Sequence, residues 1–260
     1  MEFNIDSGGG SSDLHHLTGV LEQLKESEKN LIALNRSKDS FLSIIGHDLK
    51  NPLHTILAYT EMLEEDADEI SPDEIRELTG KIKRSVQRAS NLLNDLMVWA
   101  KTQRNQIIVR RSKIDIPDLL DKTTSLFEHK LEEKELTVTK DFTHGWYFNT
   151  DPDILETIIR NLLSNAIKFS NRGGQISLIA KEHPESFVII VKDGGEGMTP
   201  EETDKLFQIE HLFWKEGTEK EPGSGMGLII SKEMAESLEG TIEVDSVKGS
   251  GTTIIVSLPK

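Results

Sequence analysis

The hydrophobic periodicity of the chain changes once, near Asn105, and this change limits the possible folds more than any other feature. Before it, from Asp13 onward, apolar residues recur at the three-and-four spacing of amphipathic helices. After it, short strand-like runs alternate with helical runs. We therefore expect a helical region over residues 13–104 and an α/β sandwich over residues 105–260. The Ser-Gly-rich residues 1–12 are expected to be a flexible linker or a cloning scar.

The helical region predicts a coiled coil that continues into a hairpin. No Gly or Pro occurs between Val20 and Ile45, which favours one continuous rod over a lone amphipathic helix packed on its own domain. The rod is predicted to run to about Asp66. A second helix is predicted to start after Ser71 as its N-cap, with Pro72 in the first turn. A hairpin of this length cannot bury its apolar stripes alone, so two copies are expected to form a dimeric four-helix bundle.

The region after Asn105 predicts a mixed sheet with helices between its strands. The helical patterns are Ile116–Glu133, Asp151–Phe169 and Met226–Leu238. The strand-like runs are Gln106–Val109, Leu136–Lys140, Gln175–Lys181, Phe187–Lys192, Thr241–Val244 and Thr252–Leu258.

Charge and composition exclude several classes of protein. The formal net charge of −15 argues against a nucleic-acid partner, because contacts to a phosphate backbone need clustered Lys and Arg. The chain has no cysteine, which excludes disulfide frameworks and thiolate metal sites. No apolar run approaches the roughly 20 residues that a membrane helix needs. A cytoplasmic location is expected for this fragment, and anchoring of the parent protein in the inner membrane is left open.

One histidine is placed for nucleophilic chemistry. At 100° per residue, His47 lies opposite the apolar stripe of its helix, and Asn51 lies one turn further on nearly the same face. Asp48 is adjacent, and a carboxylate there can fix the imidazole tautomer and stabilise positive charge during attack. The alternative is an ordinary surface histidine, which composition alone favours. His54, two turns on without an adjacent carboxylate, is expected to be such a residue.

Three segments of the second region point to a nucleotide. In the first, four side chains share one helix face: Asn161, Asn165, Lys168 and Phe169. An amide oxygen suits Mg²⁺, which needs only one or two protein ligands when phosphates supply the others, and a lysine can pair with phosphate. The alternative is an ordinary amphipathic helix, but two amides on the stripe would then be costly to bury.

The other two segments are rich in glycine. Asp193 follows a strand and precedes Gly195 and Gly197, so its carboxylate can hold an adenine amino group while the backbone approaches the base. The segment containing Gly223, Gly225, Gly227 and Leu228 opens a helix, whose N-terminal N–H groups favour phosphate. It has neither the Gly-Lys-Ser/Thr of a P-loop nor the preceding strand of a dinucleotide fold. The stretch between Thr199 and Pro222 is long for a loop and is expected to be a lid.

These segments, in this order, resemble the sensor histidine kinases of two-component signalling over nearly all of residues 13–260. The F-box-like segment lacks the usual central proline, and no Arg is evident near the phosphates. Lys215 and Lys220 are the candidates to replace it. The matches are Phe41–Leu53 to the phosphoacceptor box, Asn161–Phe169 to the N box, Asp193–Gly197 to the G1 box, Phe207–Phe213 to the F box and Gly223–Gly227 to the G2 box.

The resemblance implies a dimeric helical hairpin joined to an ATP-binding domain of the gyrase, Hsp90, histidine kinase and MutL type. It implies that His47 takes the γ-phosphoryl group of ATP, that Asp48 assists as acid–base, and that Asn51 orients the phosphoryl group or a hydrolytic water. Asn165 matches the Mg²⁺ ligand, and Asp193 matches the adenine contact. The remaining residues match nucleotide contacts: Asn161, Lys168, Phe169, Gly195, Gly197, Gly223, Gly225, Gly227 and Leu228.

The expected partners are a second copy of the chain, the receiver domain of a response regulator, and an upstream sensor domain that this chain does not contain. Two alternatives stay open. One is a bifunctional kinase in which response-regulator phosphatase activity dominates, and the other is a catalytically silent ATP-binding scaffold. An Hsp90- or MutL-like clamp would leave the histidine helix unexplained.

Overall fold

The computed structural model describes residues 19, 21, 23–29, 32, 46, 49–65, 70–103, 108–142, 145–208, 215–219, 221, 223 and 225–260, with backbone only at 101–103. The chain divides into two compact units, Met1–Gly46 and His47–Lys260. In the first unit, the described residues are helical. Most of the predicted coiled coil and rod lies outside the described residues.

The second unit begins with the predicted hairpin. Helix α1 covers residues 49–65 and helix α2 covers Pro72–Gln103. The start of α2 is a capping box: Ser71 Oγ accepts from Glu74 N at 3.2 Å, and Glu74 Oε2 accepts from Ser71 N at 2.9 Å. Lys81 Nζ of α2 lies 5.3 Å from the Tyr59 ring centroid of α1, as an antiparallel pairing requires. The predicted N-cap and hairpin are therefore confirmed.

The remainder is an α/β sandwich, which confirms the predicted fold class. Its elements follow one another as β1 Ser112–Asp115, α3 Ile116–Ser125, α4 Glu128–Glu133, β2 Thr137–Asp141, β3 Tyr147–Thr150, α5 Pro152–Phe169, β4 Gln175–Glu182, β5 Ser186–Asp193, α6 Pro200–Lys205, α7 Gly227–Ser237, β6 Thr241–Val247 and β7 Gly251–Pro259.

Five strands form the main sheet in the order β2-β4-β5-β7-β6, and β1 pairs with β3 as a separate antiparallel ribbon. Only the pairing of β2 with β4 is parallel within the main sheet. Helix α5 contacts β5, α3 and α7, and α7 also contacts β6 and β7. Helices therefore cover one face of the sheet. The core between the layers is filled by apolar side chains that are almost fully buried, among them Leu155, Ile159, Leu162, Ile176, Leu178, Phe187 and Ile189.

Several predicted elements were wrong in detail. The first strand is Ser112–Asp115 and not Gln106–Val109, where residues 108 and 109 have no regular structure and 106 and 107 lie outside the described residues. The predicted helix Ile116–Glu133 is two helices, because the chain turns at Phe127, whose N–H donates to Thr124 O at 2.9 Å. That turn buries Phe127 and leaves Leu126 exposed.

Two further elements were missed. Strand β3 has only four residues, and its partner β1 precedes it by more than thirty positions. Helix α6 occupies part of the stretch expected to be a lid. Thr199 caps this helix with a capping box, because its hydroxyl accepts from Glu202 N and Glu202 Oε2 accepts from Thr199 N. Both elements are short, so neither carries a long periodic pattern.

Candidate nucleotide-binding site

Helix α5 carries the first group of predicted site residues. Its N-terminus is fixed by Asp151, whose carboxylate accepts from the N–H groups of Asp153 and Ile154, with Pro152 in the first turn. Eight apolar side chains of α5 are buried in the core. Because these side chains fill one face, the asparagines at positions 161 and 165 are left on the face toward a cavity.

Asn161 bridges two helices at this cavity. Its Nδ2 donates to Gly227 O at 3.2 Å and lies 3.3 Å from Ser231 Oγ, both on α7. The amide nitrogen is therefore used to hold α7 against α5. This contact positions the N-terminus of α7, a function that sequence reasoning did not assign to Asn161.

Asn165 lines the cavity, and within the described part of the chain its amide has no hydrogen-bond partner. An unengaged amide oxygen is chemically suited to a Mg²⁺ ion whose other ligands are phosphate oxygens and water. No cluster of three His, Cys, Asp or Glu side chains suited to a metal occurs among the described residues. The donor set therefore fits a metal that arrives with its nucleotide, and Asn165 fits as the protein ligand.

Lys168 is a half-buried cation at the same cavity. Its Nζ donates to Lys215 O at 2.7 Å and lies 4.6 Å from the Phe169 ring centroid. Burial lowers the pKa of Lys168 to about 8, against an opposing contribution from the carboxylate of Glu221. The ammonium is therefore charged near neutral pH and poorly solvated, which strengthens its attraction for a phosphate group.

Asp193 lies at the end of β5 and is 6% exposed. Its Oδ1 accepts from Gly195 N at 2.9 Å and from Thr252 N at 3.3 Å, and these bonds fix the carboxylate orientation. Burial raises the pKa of Asp193, although the two backbone N–H bonds partly oppose this shift. With Oδ1 occupied by the backbone, Oδ2 is the oxygen that can accept from an exocyclic amino group.

Two glycines allow the loop after Asp193 to pack closely. A Cβ at Gly195 would overlap the carbonyl oxygen of Phe169, and a Cβ at Gly197 would overlap that of Val247. Gly197 also has a positive φ of 57°. The loop is thus packed between the end of α5 and the β6–β7 turn, a close approach that side chains would prevent.

Helix α7 presents its N-terminus to the cavity. Its N-cap residue, Met226, makes no side-chain cap hydrogen bond. The N-terminus of a helix favours an anion, because its first N–H groups have no partner within the helix. The preceding glycines Gly223 and Gly225 line the cavity together with Gly227 and Leu228, as the sequence predicted.

One cavity of about 450 Å³ brings together nearly all the nucleotide contacts predicted from sequence. Gly195 does not line the cavity, but its N–H donates a hydrogen bond to Asp193, which does line it. The predicted residues that line the cavity are Asn161, Asn165, Lys168, Phe169, Asp193, Gly197, Gly223, Gly225, Gly227 and Leu228.

Sequence reasoning missed several lining residues. Glu196 pairs with Lys215 at 2.6 Å, which ties the glycine loop after β5 to the segment that precedes α7. That ion pair occupies Lys215, one of the two candidates to replace an arginine at the phosphates; Lys220 lies outside the described residues. Other unpredicted lining residues include Asn91, Asn94, Asp95, Arg160, Met198 and Thr252. The first three belong to α2, where no local motif distinguishes them from other polar residues of a surface helix.

Of the three predicted phosphoacceptor residues, the structure describes Asn51. His47 and Asp48 lie outside the described residues. Asn51 is exposed on α1 and is not among the cavity residues. Of the predicted F box, Phe207 lies 5.3 Å from Lys232 Nζ, and residues 209–213 lie outside the described residues.

Two family models match this chain. Residues 150–260 match the histidine kinase-, DNA gyrase B- and HSP90-like ATPase family, and residues 37–105 match the His Kinase A phospho-acceptor domain. Together they cover most of the chain, with the phospho-acceptor domain preceding the ATPase domain. The chain belongs to the sensor histidine kinases. Members of this family are ATP-dependent protein-histidine kinases.

Curated relatives of this kinase include sensor protein SrrB of Staphylococcus aureus strain N315, which is 28% identical over 258 residues. That alignment covers 98% of this chain and 42% of SrrB, so the kinase described here spans less than half the length of its relative. No helix within the described residues has the length and hydropathy of a membrane span.

Solved structures share the fold. Histidine kinase AdeS of Acinetobacter baumannii aligns with a TM-score of 0.68 at 21% identity, covering 82% of this chain and 97% of AdeS. Histidine kinase ThkA, solved in complex with response regulator protein TrrA, aligns with a TM-score of 0.66 at 16% identity, covering 84% of this chain and 60% of ThkA. The fold that places α5, α7 and the glycine loop around one cavity is thus shared with these kinases.

Proposed function

We propose that this kinase transfers the γ-phosphoryl group of Mg-ATP to its own His47 and then to an aspartate of a response-regulator receiver domain. One observation carries the proposal: the amide of Asn165, the ammonium of Lys168, the carboxylate of Asp193 and the open N-terminus of α7 line the same cavity. These four groups match the metal, phosphate and adenine parts of one ligand. The phospho-acceptor family match over residues 37–105 adds the histidine helix.

Each group has a defined role in binding. Asp193 accepts a hydrogen bond from the adenine amino group through Oδ2, and the N–H groups at the start of α7 bind phosphate. Lys168 neutralises phosphate charge. Asn165 would hold a Mg²⁺ ion, which would supply further charge neutralisation when bound. The protein therefore acts mainly by positioning and by electrostatic stabilisation of the transferring group.

The chemical step is an in-line displacement. A ring nitrogen of neutral His47 forms a bond to the γ-phosphorus, the bond from that phosphorus to the bridging oxygen breaks, and ADP leaves. Asp48 accepts a hydrogen bond from the N–H of the other ring nitrogen, stabilises the phosphorylated imidazolium as it forms, and then takes that proton, which leaves a neutral phosphohistidine. Asn51, four positions after His47 in the sequence, is not among the residues that line the cavity, and we expect the ATP-binding region to move relative to α1 during transfer.

A homodimer is favoured by a second apolar stripe on the hairpin. The stripe that packs α1 against α2 includes Pro52, Leu78 and Leu92, all buried. A separate set of apolar side chains stays 40–56% exposed in the single chain. A second hairpin would cover this set and complete a four-helix bundle. The exposed set is Leu53 and Leu57 on α1, and Ile75, Val86, Leu93 and Met97 on α2.

The receiver-domain partner is supported by the relationship to kinases such as ThkA, which was solved with a response regulator protein. Asn51 is exposed on α1 and so is available to a partner docked on the hairpin. This exposure favours a second activity, in which Asn51 positions water for dephosphorylation of the regulator.

Two further proposals concern the organisation and location of the chain. The boundary between the hairpin domain and the ATP-binding domain lies near residues 104 and 105. This part of the protein acts in the cytoplasm, where ATP is available.

The assignment of His47 is tested with labelled ATP. His47→Gln is expected to abolish incorporation of the γ-phosphoryl group and to leave binding of a fluorescent ATP analogue unchanged. His54→Gln is the matched control, because His54 is an exposed histidine on the same helix. Labelling that persists in His47→Gln, or that is lost in His54→Gln alone, contradicts the assignment.

A further inference from the structure

Lys134 is a buried cation that the catalytic scheme does not use. It lies at the C-terminal end of α4, and its side chain is only 4% exposed. Burying an ammonium group costs several kcal/mol unless charges or dipoles compensate it. A lysine in this position therefore indicates a specific set of partners.

Three oxygen atoms surround the Lys134 ammonium. Nζ donates to Ile167 O at 2.8 Å and to Lys168 O at 3.0 Å, two carbonyls of the last turn of α5. It also donates to Glu221 Oε1 at 2.6 Å. The three donors of the ammonium are thus fully used, and the cation lies at the negative end of the α5 dipole.

Glu221 extends this contact to the segment that precedes α7. Its Oε2 accepts from Glu219 N at 2.8 Å, and its carbonyl accepts from Gly217 N at 3.0 Å. Burial acts to raise the pKa of Glu221, but the hydrogen bond from Lys134 and the backbone N–H bonds outweigh it, so the pKa lies below its usual value. Gly217, Glu219 and Glu221 are therefore joined in a turn around one ionised carboxylate.

This turn is bonded directly to the end of α5. Thr218 N donates to Lys168 O at 3.0 Å, and Thr218 Oγ1 donates to Ser170 O at 2.7 Å. Two residues before the turn, Lys215 O accepts from Lys168 Nζ at 2.7 Å. The backbone of Lys168 is thus held by Lys134 and Thr218, and its ammonium is held by the segment that Glu221 fixes.

We propose that Lys134, acting through Glu221 and the last turn of α5, is a positioning residue for the nucleotide site that sets the location of the Lys168 ammonium at the cavity. The proposal rests on the nucleotide binding proposed above. Loss of the buried cation would remove the donor to Glu221 Oε1 and to Ile167 O, and one of the donors to Lys168 O. The 215–221 segment would then move, and Lys168 would lose the carbonyl that holds it.

The experiment compares variants in the full chain. Lys134→Met removes the charge at similar length, and Glu221→Gln removes the carboxylate charge but keeps an acceptor. Lys140→Met is the matched control, because Lys140 makes an equally short ion pair, 2.6 Å to Asp121, away from the cavity. Binding of a fluorescent ATP analogue, KM and kcat for self-labelling, and thermal unfolding are measured for each protein.

The expected result is a split between KM and kcat. Lys134→Met should weaken analogue binding and raise KM for ATP about tenfold, the size of a lost charged hydrogen bond. Because the phosphate contacts act before and during transfer, kcat at saturating ATP should change much less. Glu221→Gln should raise KM about threefold, since a neutral acceptor retains part of the bond. The double variant should be no worse than Lys134→Met, because both changes break one linkage.

Other outcomes overturn the proposal. They are unchanged analogue binding in folded Lys134→Met, additive effects of the two changes, or an equal loss in Lys140→Met. If Lys134→Met does not fold, Glu221→Gln and Thr218→Val carry the same test, and unchanged binding in both contradicts the linkage. Failure of the unaltered kinase to bind the analogue contradicts the proposed function instead, so the two failures are distinguishable.

Discussion

At the scale of single residues, the site depends on charged groups held in poorly solvated positions. Lys168 is neither fully buried nor free in solvent, and its ammonium is held between the ring of Phe169 and the carbonyl of Lys215. Asp193 is more deeply buried and keeps its orientation through two backbone N–H groups. Burial thus makes each side chain more selective for a ligand group that replaces the lost water. Under the proposed function, that group is phosphate for Lys168 and an amino group for Asp193.

Nucleotide affinity should fall as the pH rises through about 8. The pKa of Lys168 is lowered to about 8, so the ammonium is charged below that pH and loses its charge above it. The second pKa of a phosphate is about 6, so the ligand does not change charge in this range. The association constant for the nucleotide should fall by at most about tenfold per pH unit. This fall is confined to the range between the pKa of Lys168 in the free protein and its pKa in the complex.

This dependence is measured by titrating a fluorescent ATP analogue from about pH 7 to about pH 9, where only Lys168 is expected to titrate at the site. Lys168→Arg is the comparison, because a guanidinium stays charged throughout. Its profile should be flat, whatever its affinity at neutral pH. A flat profile for the unaltered kinase, or the same slope in both proteins, contradicts the role given to Lys168.

At the scale of elements, the site is formed where the ends of α5, β5 and α7 meet. Asn161 joins α5 to α7, and the glycine loop after β5 packs against the end of α5 and the β6–β7 turn. The site does not interrupt α5 or α7, because each helix contributes only terminal residues or residues of its polar face. Close packing of backbone against backbone is what allows three elements to enclose one ligand.

The loop after β5 should tolerate a methyl group at one glycine and not at another. Gly197→Ala places a Cβ against the Val247 carbonyl at a positive φ, so the loop must move and analogue binding should be lost or weakened by at least about tenfold. Gly194→Ala is the control, since a Cβ there meets no atom within 4 Å. Equal analogue affinities for the two variants, measured at matched folded fraction, would refute this account of the loop.

At the scale of the whole molecule, a single copy of the hairpin leaves an apolar surface exposed to solvent. The exposed apolar residues of α2 lie at positions 75, 86, 93 and 97, a spacing that places them along one side of the helix. The same helix contacts α7 and contributes Asn91, Asn94 and Asp95 to the nucleotide cavity. One helix therefore connects the proposed dimer surface with the nucleotide site.

A charge on the exposed stripe should dissociate the dimer. Leu93 is 49% exposed, and Leu93→Glu would bury a carboxylate between two hairpins at a cost of several kcal/mol. Sedimentation should then show a monomer at concentrations where the unaltered chain is a dimer. Arg84→Glu is the control, because Arg84 lies on the opposite side of α2 and is exposed. Retention of the dimer in Leu93→Glu places the interface elsewhere.

Features that depend on a few consecutive residues were predictable from the sequence. The hairpin, its N-cap at Ser71 and the grouping of α5 with the two glycine segments depend on spacing within one helix or one loop. Strand β3, the break at Phe127 and helix α6 were not predicted, because short elements carry weak periodicity and are stabilised by distant partners such as β1. The roles of His47 and Asp48 remain predictions, since these residues lie outside the described part of the chain.

The sequence by itself predicted the types of element, the order of the two regions and ten of the residues that line the nucleotide cavity. Local periodicity, capping and glycine placement act over a few residues, so they can be recognised without a fold. Only the tertiary structure decided that Lys134 is buried against Lys168 and Glu221, and that three polar residues of α2 reach the cavity. Those contacts join residues tens of positions apart, and the free energy of burying a charge or an amide depends on neighbours that only the folded chain supplies.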